Sequence, residues 1–194
     1  MHDKAALAVL DTYHKAGAFG LLCAARLAVV GDVAGSSVAA QLDRVVKSMG
    51  GVLPGLNDGD VTDVRAYYDS IPVLDDVEAP VYYSCTAAEL ALEAMSARTG
   101  APPVLAFRLA GISLNAWKSC DDILARSSGF EDDAFRDVKK TLTDIELDFQ
   151  EADLAELGRS GDITATYVSR LSSFNEKYET ARRLAEAVAR SAQW

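Results

Sequence analysis

The chain is poor in the residues that carry most familiar chemistry. It has only two histidines, His2 and His14. Both lie near the N-terminus, so a histidine-based acid–base pair or nucleophile triad would have to use His14. That residue sits in a helical apolar block beside Tyr13 and reads as structural. No Glu-x-x-His pair of the helical di-iron kind occurs. Neither a Walker loop nor a G-x-G-x-x-G turn is present. These absences predict no cofactor.

Cysteine is equally sparse. Cys23, Cys85 and Cys120 are three in number and far apart. An odd count without C-x-x-C spacing excludes a disulfide framework and a zinc ribbon. Each sits among apolar neighbours, where a free thiol acts as small core filler, and this usage suits a reducing cytoplasm. The chain also has no long hydrophobic run. Ala16 to Val30, "AGAFGLLCAARLAVV", is too short to span a bilayer and is interrupted by Arg26. It reads as a buried core helix. The opening "MHDKAALAVLD" carries acids on both sides of its apolar run, unlike a secretory leader. Runs of alternating β-branched residues are missing, as are repeats and low-complexity segments.

What remains is a globular, acidic composition. Of 194 residues, 49% are hydrophobic, and Asp plus Glu outnumber Lys plus Arg by 29 to 19. The length suits one domain with a substantial core. The net charge of −10 repels nucleic acid and anionic membrane and suits a soluble protein or one that meets basic partners.

Glycine and proline divide the chain into helical blocks. The first covers Asp3 to Val30, with a break expected near Gly17 or Gly20. After a "GDVAGSS" loop, Ser36 or Ser37 caps a second helix that stops at Met49–Gly51. A loop to Asp60 and a short helix, Val61 to Ser70, follow. Pro80 and Pro102-Pro103 each open a longer block, the favoured use of proline in a first helical turn. The earlier one has an apolar face of Val81, Cys85, Ala88, Leu92 and Met95 and stops at Gly100. The later one, ending near Leu124, has two stripes: Leu105, Leu109, Ile112 and Ala116, and Phe107, Ala110, Leu114 and Trp117. Stripes on both sides predict a central helix with Trp117 and Phe107 buried on opposite flanks.

Two long helices complete the pattern. Phe135, Val138, Leu142, Ile145, Phe149 and Ala152 form one core stripe. Tyr167, Leu171, Phe174, Tyr178, Ala181, Ala185 and Val188 form the other. Between them Gly158 is a stop and Asp162 an N-cap. The expectation is a single all-α domain over residues 1–194, a bundle of six or seven helices with a central buried helix.

The most unusual stretch is "LTDIELDFQEADLAEL". Asp144, Asp148 and Glu151 lie opposite its core stripe, together with Leu147 and Leu154, which share one line. Two scattered surface leucines are ordinary, and leucines so placed can equally touch a neighbouring helix. The sharper reading is a partner-binding strip made by Asp144, Leu147, Asp148, Glu151 and Leu154, apolar at its centre and acidic at its rim. Glu146 and Asp153 flank the stripe, positioned to pair with arginines on a packed helix.

Carboxylates alone can also hold magnesium. Asp121 and Asp122 end the central block, and Glu131-Asp132-Asp133 begin the next. Acids at a helix start favour the macrodipole, which accounts for the second cluster, and a solvated helix end accounts for the first. Asp121 and Asp122 stay as the alternative metal site. Glu89 and Glu93, spaced by four, read as lying away from Cys85 and Leu92 and do not make a Glu-x-x-Glu pair.

Three segments carry a family resemblance. They are "FGLLCAARL" (Phe19 to Leu27), "LAGISLNAW" (Leu109 to Trp117) and "IELDFQEADLAEL" (Ile145 to Leu157). In order and type they resemble an all-helical bacterial family of unknown function that includes immunity proteins of polymorphic toxin systems. The likeness covers about a fifth of the chain. It implies an all-α protein that is non-enzymatic or uncharacterised. It brings no catalytic residues. The reading that joins this likeness to the acidity of the chain is a binding protein, of the immunity type, that occludes a basic toxin. The alternatives are a small magnesium-dependent helical enzyme using carboxylates and a self-associating protein.

Overall fold

The computed structural model describes residues 6–33, 62, 65, 66, 68, 69, 80–96, 101–126, 141–176, 186 and 188. Among them are a 3₁₀ turn, Ala6–Val9, and five longer helices: α1 Tyr13–Val33, α2 Pro80–Ser96, α3 Pro102–Arg126, α4 Leu142–Arg159 and α5 Ile163–Glu176. Thr62, Arg65, Ala66, Tyr68 and Asp69 are also helical, within the short block expected there. The described residues contain no strand, so the fold is all-α. The Ser36 or Ser37 cap, the loop to Asp60, the stop at Gly100, the Glu131-Asp132-Asp133 cluster, and Phe135, Val138, Tyr178, Ala181 and Ala185 lie outside the described residues.

The central helix is α1, not the block after Pro103. It packs against all four other helices. Ala16, Phe19, Leu21, Leu22, Cys23, Leu27 and Val30 are essentially inaccessible. From Ala16 to Val30 the helix is apolar on every side except at Arg26, so it has no face to give to water there and neighbours enclose it. The chain breaks before α1, at Leu10–Thr12, where Thr12 accepts a hydrogen bond from the Lys15 amide at 3.2 Å. His14, in the first turn, is exposed rather than a core histidine.

Gly17 and Gly20 do not break α1. A Cβ on Gly17 would stand 2.9 Å from the Ala94 carbonyl oxygen, and one on Gly20 would stand 2.5 Å from Leu109 Cδ1 and 2.9 Å from Ala94 Cβ. The two glycines let α1 approach α2 and α3 closely. The helix tolerates them because this packing outweighs their low propensity, about 1 kcal/mol each.

Pro80 and Pro102 open α2 and α3, as the sequence predicts. On α2, Tyr83, Ala87, Ala88, Leu90, Ala91, Leu92, Ala94 and Met95 are buried, a wider face than the predicted stripe. On α3, Leu105, Leu109, Ala116 and Trp117 are buried, and Phe107 is only half-buried. Val104, Arg108, Asn115 and Lys118 keep one side of α3 in water, which is why it is not the centre. Among the described residues the Trp117 indole N–H has no acceptor.

At its N-terminus α4 is closed by a full set of caps. Thr141 accepts from the Asp144 amide and Asp144 accepts from the Thr141 amide, both at 3.1 Å, a capping box. Asp162 caps α5, accepting from the Ala165 amide at 2.9 Å. The three-residue break between these helices makes them neighbours.

Candidate functional site

Turning each residue about 100° around the helix axis shows which side of α4 the fold uses. Its buried residues are Leu142, Glu146, Gln150, Asp153, Leu154 and Leu157. Ile145, Phe149 and Ala152 are only half-buried. The buried arc is therefore rotated by about 100° from the apolar stripe. Its middle is polar: Glu146, Gln150 and Asp153.

These polar groups meet Arg26, which projects from the apolar middle of α1. Arg26 Nε donates to Glu146 Oε2 at 2.7 Å and its Nη2 to Glu146 Oε1 at 3.0 Å. Its Nη1 donates to Asp153 Oδ2 at 2.7 Å. Ser113 of α3 and Gln150 of α4 also donate to Glu146 Oε1, at 2.9 and 2.8 Å. Arg170 of α5 donates through Nε to Asp153 Oδ1 at 2.7 Å and through Nη1 to Glu156 at 3.2 Å. Arg26, Glu146 and Asp153 are each no more than 2% exposed. All four oxygens of the two buried carboxylates thus accept a hydrogen bond.

Two guanidinium groups face two buried carboxylates, so the inner charges balance. Phe149 covers one side, its ring centroid 5.5 Å from the Arg26 guanidinium carbon. Phe149 in turn meets Phe174 of α5 edge-to-face at 5.5 Å. Burial works against the charge on Arg26, but Glu146 and Asp153 overcome it and hold the guanidinium well above its ordinary value. A buried ion pair left half-made costs about 3–5 kcal/mol, so the junction fixes how α4 sits on α1. It offers no open carboxylate oxygen to a substrate.

Three sequence segments, Phe19 to Leu27, Leu109 to Trp117 and Ile145 to Leu157, converge here. The first supplies Arg26, the second Ser113, and the third Glu146, Gln150 and Asp153.

The predicted binding strip divides. Asp144, Asp148 and Glu151 are exposed on the outer side of α4, and Leu147 is half-buried beside them. Leu154 is a correction: it is only 6% exposed and belongs to the hydrophobic core. Because the buried arc is rotated toward it, Leu154 packs inward and is unavailable to a partner. Asp144 already serves the capping box, so its carboxylate is part of the helix end.

Asp121 is also not the solvated helix end expected. It is part-buried and reaches across to α4. Its Oδ1 accepts from the Leu142 amide at 2.8 Å, and its Oδ2 from the Thr143 amide at 3.0 Å and hydroxyl at 2.5 Å. Both oxygens satisfy orphan donors of a helix start, which leaves a poor magnesium ligand. Asp122 beside it is exposed. Among the described residues, no group of three or more His, Cys, Asp or Glu side chains could hold a metal ion.

Another cluster lies on α2. Glu89 stands one turn from Cys85 and shares its surroundings, contrary to the sequence expectation that they face apart. Burial, then the charge of Glu93, pushes the Glu89 carboxyl above its ordinary value, with Arg108 opposing. Burial and Glu89 push the Cys85 thiol up. Arg108 pairs with Glu93 at 2.9 Å on the exposed side of α3. Cys23 and Cys120 are buried. Burial raises both thiols, Cys120 to about 12, so neither is an activated nucleophile.

Among the described residues no helix is long and apolar enough to cross a membrane. The chain matches no family model, no characterised protein and no solved structure.

Proposed function

We propose that this is a non-catalytic binding protein that meets a basic protein partner through the outer face of α4. The carrying observation is the division of labour among the acids of that helix. Glu146 and Asp153 are closed off inside the fold, whereas Asp148 and Glu151 stand on the solvent side with Leu147 at their border. The buried junction holds this face in a fixed orientation on α1. An acidic ridge of this kind accelerates encounter with a positively charged surface. An immunity-type role against a basic toxin is one form of this reading, supported by the resemblance of the three segments.

The test uses the full chain, immobilised and exposed to extract of its source cells. A retained protein is identified by mass spectrometry, purified and re-bound. The expected partner is basic, and its association slows as salt rises. Asp148→Asn with Glu151→Gln should slow association at low salt and leave dissociation nearly unchanged. Asp144 is left intact because its loss would damage the helix cap. A purified partner that binds this variant with unchanged kinetics at all salt concentrations would overturn the assignment.

A further inference from the structure

We draw no further inference here: the strongest candidate, the half-buried side-chain cluster of Cys85, Glu89 and Glu93 along one side of α2, facing Arg108 of α3, joins two acids to a lone cysteine, and nothing among the described residues shows a ligand that it would hold.

Discussion

Arg26 and Glu146, 120 positions apart in the chain, meet in a bidentate pair with contacts of 2.7 and 3.0 Å, both side chains nearly fully buried. Removing one partner leaves the other charged and dry. Arg26→Met should therefore destabilise the protein by about 3–5 kcal/mol. Adding Glu146→Met removes the orphaned charge, although Ser113 and Gln150 then lose an acceptor. The double variant should be more stable than the sum of the single losses by at least about 1 kcal/mol. Denaturant unfolding of the four-membered cycle measures this. Strict additivity would mean that the pair does not act as one unit.

Three glycines in helices should respond in opposite directions. A Cβ on Gly111 of α3 would have nothing within 4 Å, whereas one on Gly17 would press on the Ala94 backbone at 2.9 Å. Gly111→Ala should stabilise by up to about 1 kcal/mol through helix propensity. Gly17→Ala should destabilise by about 1–3 kcal/mol, because backbone cannot step aside as a rotamer can. Gly20→Ala should destabilise by a similar amount, about 1–3 kcal/mol: Leu109 Cδ1 can swing aside, but Ala94 Cβ, 2.9 Å away, is fixed to its backbone. Thermal melts of the three variants give the signs.

The helices themselves were legible because proline starts, aspartate caps and 3.6-residue spacing are local signals. Pro80, Pro102 and Asp162 all open helices where the sequence predicts. The rotation of α4 was not legible. Periodicity ranks Ile145 and Phe149 above Glu146 and Gln150 for burial, since it does not see that Arg26 waits on α1 to receive them. The lone arginine in an apolar run, and Glu146 and Asp153 seven apart beside the stripe, were the available signals. Their pairing needed the tertiary fold. For the same reason the spacing alone leaves Leu154 open between a surface strip and a packed neighbour, and reads Gly17 and Gly20 as breaks instead of contact points.

Asp121 and Asp122 are adjacent in sequence and should behave differently. Asp121 caps two amides and a hydroxyl of α4, so Asp121→Ala should cost about 1–2 kcal/mol. Asp122 is exposed, and Asp122→Ala should stay within about 0.5 kcal/mol of wild type. Equal effects on the denaturation midpoint would contradict the capping geometry.

Glu89 and Cys85 give a coupled test by pH and by labelling. The folded-state value of Glu89 is raised above the ordinary 4.5, first by burial and then by Glu93. For a raised carboxyl, the folded chain holds the proton more tightly than the unfolded one. Its contribution to stability is therefore fully present below about pH 4.5 and is lost as pH rises through the folded value. Glu89→Gln removes that loss, so stability should depend less on pH above 4.5 and the melting temperature at pH 7 should rise. The same charge disfavours the Cys85 thiolate. Iodoacetamide at pH 8 should therefore label Cys85 faster in Glu89→Gln than in wild type, because the thiolate is the reacting species. Cys23 and Cys120, buried and raised, should stay unlabelled until the protein unfolds. Should Cys85 react at the same rate in both proteins, the proximity of the two groups on α2 would carry no electrostatic weight, and the predicted pH effect would have to come from elsewhere.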